Sequence, residues 1–175
     1  MTKANPIEKI SVLDFIKSLP FFDDFSDEEK SEIISKEGIF EKYKEGETII
    51  KEGEIESWLY VILLGKIRLT KSLENADEGR ISLNEPVHIT VKDLEIGSIF
   101  GEISLITNRP RNVTAIAASP DVAVMKVTGE ILESLDKSIQ MKFQKQLLLK
   151  LAENLDDMNT ECVKQKSVIQ KNQIQ

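Results

Sequence analysis

Cysteine and histidine each occur once in the chain, as Cys162 and His88. A single cysteine forbids an internal disulfide framework. A single histidine cannot furnish the His-and-carboxylate ligand set of a β-barrel metalloenzyme. A Ser–His–Asp triad would have to recruit His88, which sits in the alternating stretch VHITV. That pattern reads as a half-exposed strand position, so catalysis is not expected. Basic residues are outnumbered, 23 Lys and Arg against 30 Asp and Glu, for a net charge of −7. A negative surface repels phosphate backbones, so no nucleic-acid partner is expected. No run reaches the ~18 apolar residues that a membrane helix needs. The opening MTKANPIEKI lacks a signal-peptide core. Together these absences point to a cytoplasmic protein without metal or membrane.

What remains is enough for a packed core: 41% of the 175 residues are hydrophobic. Residues 1–37 read as an N-terminal helical segment, interrupted at Pro20. Ser26 followed by Glu29 forms a capping box, with Asp27 and Glu28 adding first-turn acid, so a helix over about 27–36 is predicted. From residue 38 the pattern becomes short strands punctuated by Gly38, Gly46, Gly53 and Gly65. TII, WLYVILL, KIRLTKS, ISL, VHITV, IGSIF, VTAIAA and DVAVMKV continue the series to residue 127, with LENADEG (73–79) as a polar tip. Many short strands at regular spacing indicate a sandwich, barrel or jelly roll.

Residues 128–162 turn helical again: EILESL makes a short helix and 138–160 a long one. Leu148, Leu151, Leu155, Met158 and Cys162 step by 3, 4, 3 and 4. Two readings stay open. The seam over 148–162 is a coiled-coil homodimer contact, or the helix lies on the barrel with Leu147–Leu149 widening its apolar stripe. On either reading Cys162 is expected to be a small buried apolar residue rather than a redox switch. Residues 163–175 read as a frayed polar tail.

The stretch FGEISLITNRPRNVT, residues 100–114, combines elements that no strand requires. Gly101 lets backbone approach a ligand closely. If GEISL forms a helical turn, its first amides converge on a spot that favours an anion. Arg111 can close that spot with a charge-assisted fork. Glu102 would repel a lone anion but accepts well from a sugar hydroxyl. Gly101, Glu102 and Arg111 therefore suit a sugar phosphate. A surface salt bridge between Glu102 and Arg111 accounts for the spacing equally well.

The same stretch resembles the phosphate-binding cassette of cyclic nucleotide-binding domains, roughly F-G-E-x-x-L, a turn, then arginine and small residues. Phe100, Gly101, Glu102, Ile103, Ser104, Leu105, Pro110 and Arg111 fit it. SLPFFDDFSDEE resembles that family's helical entry, and YKEGETIIKEGEIESWLYVILLGKIRL its first strands. Ser98 stands in IGSIFGE where Asp is commoner. The likeness spans about residues 15–160. It implies a mainly β domain: a double-stranded β-helix, or jelly-roll-like β-roll, between N-terminal helices and a long C-terminal helix.

The resemblance further implies a cyclic AMP or cyclic GMP ligand, with no other cofactor. Arg111 and amides near Ile103, Ser104 and Asn112 would hold the cyclic phosphate, and Glu102 the ribose 2′-hydroxyl. Asn112 and Val113 depart from the usual small residues, and an amide at 112 fits either base. No helix-turn-helix, kinase-docking segment or membrane helix is evident. The expectation is a stand-alone receptor, or a piece of something larger, that moves its C-terminal helix and signals to an unknown effector protein. The alternative is a degenerate, non-binding roll that serves as a protein-interaction module.

Overall fold

A computed structural model describes residues 6–73 and 87–172. The chain divides into two compact units, Met1–Leu135 and Asp136–Gln175. The first unit begins with helix α1 (Pro6–Lys17), a 3-10 turn at Pro20–Phe22, and α2 (Asp27–Ser35). The capping box forms: the Ser26 hydroxyl accepts from the Glu29 amide at 3.2 Å, and Glu29 Oε2 accepts from the Ser26 amide at 2.7 Å. Two orphan amides at the start of α2 are thereby satisfied. Phe21, Phe22 and Phe25 gather after Pro20, with Phe21 and Phe22 edge-to-face at 5.0 Å.

Eight strands follow: β1 (Phe40–Lys44), β2 (Thr48–Ile50), β3 (Trp58–Leu64), β4 (Ile67–Leu73), β5 (Val87–Leu94), β6 (Ile99–Phe100), β7 (Thr114–Ala117) and β8 (Asp121–Thr128). Helix α3 (Glu102–Thr107) lies between β6 and β7. The strands make two antiparallel four-stranded sheets, ordered β1-β8-β3-β6 and β2-β7-β4-β5. Apart from β4 and β5, which pair within one sheet, successive strands switch sheets, which produces the jelly-roll-like β-roll. The predicted ISL strand lies outside the described residues, as does most of the 73–79 tip. His88 lies on β5 and is exposed.

One core runs between the sheets. Ile49, Ile50, Ile67, Leu94, Ala115 and Ala117 meet Tyr60, Ile62, Phe100, Val122 and Val124. The intervening residues of β3 and β8, Leu59, Val61, Met125 and Val127, are also buried. A strand covered on both faces has no polar alternation, hence the unbroken WLYVILL. The register sets Tyr60 opposite Lys126 on β8 and Phe100 on β6. Polar and aromatic side chains thus share the inner face of the first sheet with its aliphatics.

Beyond β8, Thr128 caps α4 (Gly129–Glu133) by accepting from the Ile131 amide at 3.1 Å. In the second unit, α5 (Lys137–Asn172) is one 36-residue helix. It runs past Thr160, because KQKSVIQKN contains no glycine or proline to stop it. Ile139, Phe143 and Leu147 are buried, whereas Leu148, Leu155, Met158 and Val163 are exposed. Cys162 is exposed as well. The expectation of a buried cysteine is therefore not met.

Replacing Ser26 by Ala removes the hydroxyl half of the capping box and should lower unfolding free energy by about 1 kcal/mol. Urea denaturation of the two proteins checks this, and unchanged stability would show that water serves the amides equally well.

Candidate functional site

The predicted helical turn exists, and its entry is unusual. Gly101 caps α3 in the left-handed region, at φ 80°, where a side chain is disfavoured. A Cβ there would lie 2.8 Å from Arg111 Nη1, 3.1 Å from Ile50 Cδ1 and 3.2 Å from the Trp58 carbonyl oxygen. Glycine is required both by the backbone turn and by the close approach of Arg111.

Arg111 is 3% exposed, far below what an arginine ordinarily shows. Its main chain is pinned to the turn after β2: the Arg111 amide donates to the Glu54 carbonyl, and the Gly53 amide donates to the Arg111 carbonyl, both at 2.8 Å. Nη1 donates to the Gly101 carbonyl at 2.7 Å, and Nη2 to the Trp58 carbonyl at 2.9 Å. The guanidinium carbon lies 5.7 Å from the centre of the Trp58 ring. Nε is buried without a hydrogen-bond partner. The Glu56 carboxylate comes within 3.8 Å of it, an ion-pair distance but not a hydrogen bond.

Burial pushes the Arg111 pKa below its ordinary value, and the carboxylates of Glu56 and Glu102 pull the other way. The cation therefore sits in a site that penalises it and compensates it incompletely. Two of the five N–H donors of the guanidinium are used on carbonyls. The remainder can serve an acceptor that carries negative charge.

Glu102 and Ser104 are buried on α3, at 6% and 3% exposure, and Ile103 is partly exposed. A surface salt bridge between Glu102 and Arg111 is thus excluded: neither side chain is at the surface. The structure brings Gly101, Glu102, Ser104 and Arg111 into one neighbourhood. Asn112 stands at its margin, exposed, with its carbonyl accepting from Lys71 Nζ at 2.8 Å. Lys71 also reaches Glu52, whose second carboxylate oxygen accepts from the Ser72 amide at 2.9 Å. The exit from Arg111 is in this way tied to the end of β4.

Two residues near the guanidinium have no counterpart in the sequence reading, Trp58 and Glu56. Each meets Arg111 across more than fifty positions, through pairings that no local pattern displays. The only available signal was a large aromatic opening an otherwise aliphatic strand.

The arrangement has known parallels. The family model for the cyclic nucleotide-binding domain matches residues 40–138. The chain belongs to the cyclic nucleotide-binding domain family. Human cGMP-dependent protein kinase 2 is 29% identical over 116 residues, 66% of this chain and 14% of that protein. The cAMP-dependent protein kinase regulatory subunit of Mycosarcoma maydis is 30% identical over 104 residues, 59% of this chain and 18% of that one. The chain thus spans under a fifth of the length of these two relatives.

Among solved structures, a cyclic nucleotide-binding domain from Methylobacillus flagellatus superposes with TM-score 0.68 at 23% identity, covering 90% of this chain and 83% of the other. The catabolite activator protein of Thermus thermophilus gives 0.64 at 24%, covering 82% and 61%. Those likenesses establish the β-roll. No helix among the described residues is long and apolar enough to cross a membrane.

Gly101→Ala and Gly38→Ala separate strain from collision. Both glycines have positive φ, but nothing lies within 4 Å of a Cβ at Gly38. Gly38→Ala should cost about 1–2 kcal/mol for the left-handed backbone alone. Gly101→Ala should cost about 1 kcal/mol more, for overpacking against Arg111. Equal losses in denaturant titrations would mean that Arg111 does not press on this turn.

Proposed function

We propose that the chain is a receptor for a 3′,5′-cyclic mononucleotide, cyclic AMP or cyclic GMP. The observation that carries this reading is the buried guanidinium of Arg111, with Nε lacking a hydrogen bond and Nη1 on the Gly101 carbonyl at the start of α3. A phosphodiester supplies one negative charge and several acceptor oxygens, which matches the deficit. On this reading the first amides of α3, at Ile103 and Ser104, add donors to the phosphate, and the Ser104 hydroxyl one more. The Asn112 amide lies next along the chain from the arginine.

Glu102 has a different task. A buried carboxylate next to an anion costs energy unless a hydroxyl donates to it. The ribose 2′-hydroxyl, on the carbon next to the one that bears the ring-closing 3′ oxygen, suits that role. Phosphate on Arg111 and hydroxyl on Glu102 together select a cyclic nucleotide over free phosphate. The names of the relatives support the ligand class: a kinase dependent on cGMP, a regulatory subunit dependent on cAMP, and a Toxoplasma gondii regulatory domain solved with cAMP.

The domain acts by binding the nucleotide. Occupation changes the position of the C-terminal helix, and a ligand shifts that equilibrium by its difference in affinity for the two positions. The exposed seam of Leu148, Leu155 and Met158 gives the readout a surface, either a second copy of the chain or an effector protein. A degenerate roll serving only as an interaction module would have no use for Glu102 and Arg111 buried together.

Calorimetric titration with cyclic AMP and cyclic GMP tests the reading and reports the preferred base. Wild type should bind at least one of them. Arg111→Ala should weaken that binding by about a hundredfold or more, the loss expected when a buried charge-assisted bond goes. Identical heats for wild type and variant would refute the role of Arg111.

A further inference from the structure

Trp58, the one tryptophan of the chain, is the point at which two closed circuits of contacts meet. The first circuit contains the anion site. Arg111 Nη1 donates to the Gly101 carbonyl. Phe100, next to Gly101, stacks on Tyr60 with centroids 5.1 Å apart and planes 17° from parallel. The Tyr60 hydroxyl accepts from Trp58 Nε1 at 2.9 Å. The indole in turn lies under the Arg111 guanidinium, and the Trp58 carbonyl accepts from Nη2.

The second circuit leaves the anion site for β1 and β8. Lys126 Nζ lies over the same indole, 4.0 Å from the ring centre. It is also 3.1 Å from Glu41 Oε1, and the other oxygen of Glu41 accepts from the Tyr43 hydroxyl. Tyr43 packs against the core cluster that contains Tyr60, which brings the circuit back to the indole. Burial pushes both phenols up, Tyr60 to about 12, so both stay uncharged. Strand register explains the meeting. Trp58 and Tyr60 share one face of β3, and Tyr60 pairs with Lys126 on β8.

We propose that Trp58 is a positioning residue for Arg111. Its indole, held by the Tyr60 hydroxyl and the Glu41–Lys126 pair, keeps the guanidinium in its buried pose. A cation over an indole is attracted by the ring quadrupole, more strongly where water is excluded. Without the ring, Arg111 would keep its two carbonyls but lose the surface that fixes its plane. The identity of the anion rests on the cyclic-nucleotide reading, whereas the stacking does not.

The test uses the full chain and four proteins: wild type, Trp58→Phe, Trp58→Leu and Lys126→Met. The ligand-free readout is the Arg111 Nε–H resonance, assigned through Arg111→Lys. In wild type the indole should shift it upfield by ring current. Trp58→Phe should keep a smaller shift, and Trp58→Leu should bring it to the value of a free arginine. Lys126→Met should reduce the shift by loosening the ring. The second readout is affinity for cyclic AMP and cyclic GMP. Trp58→Leu should lose about tenfold, and Trp58→Phe should recover most of it. Thermal melts identify a variant that fails to fold, and Trp58→Phe, the smaller change, then decides.

A wild-type resonance without an upfield shift overturns the proposal, as does an equal affinity in Trp58→Leu and wild type. A wild type that takes up neither nucleotide, with the shift present and lost in Trp58→Leu, overturns the ligand assignment and upholds the positioning role.

Discussion

A guanidinium buried inside a β-roll with too few partners is the constraint on which the rest of this structure depends. An arginine cannot shed its proton to escape burial as a lysine can. The chain must instead surround Arg111 with acceptors, and it does so sparingly. Two carbonyls and a distant carboxylate take part of the charge, and Nε is left without a bond. Removing two ions from water costs several kcal/mol each, and an imperfect pair does not return that. The core between the sheets must therefore support the site, with each fully buried aliphatic or aromatic contributing about 1.5–3 kcal/mol.

The roll accomplishes this by bringing distant segments to one place. The turn after β2 pins the main chain of Arg111, the start of β3 offers a carbonyl and an indole, and the left-handed Gly101 opens the end of β6. The first two follow one another in sequence, but Gly101 and Arg111 lie far along the chain from both. The same strands carry aliphatic side chains into the core, so the position of the guanidinium is set by packing as well as by polar contacts.

Much of this was legible in the sequence, for stated reasons. Capping at Ser26 and Glu29 is a local event, and so are the glycine turns and the helical turn at GEISL. WLYVILL signalled a strand, and its lack of polar alternation is explained by burial on both faces. Gly101, Glu102, Ser104 and Arg111 were legible through their spacing and a family likeness. What was not legible depends on long-range pairing. Glu41 meets Lys126 because β1 and β8 are neighbours in one sheet, and Trp58 meets Arg111 because the Arg111 main chain is bonded to Gly53 and Glu54, just before β3. The end of α5 was misjudged because a polar segment without breakers stays helical. The exposure of Cys162 was misjudged because an apolar spacing does not say whether its cover comes from the same chain.

The central claim is that Arg111 is held in readiness for the phosphate of a cyclic nucleotide. Crystals grown with cyclic AMP or cyclic GMP test it most directly. The account predicts the exocyclic phosphate oxygens within hydrogen-bond distance of the Arg111 guanidinium and the α3 amides, and the ribose 2′-hydroxyl on Glu102. A nucleotide bound elsewhere, with Arg111 still engaged only by the Gly101 and Trp58 carbonyls, would contradict it.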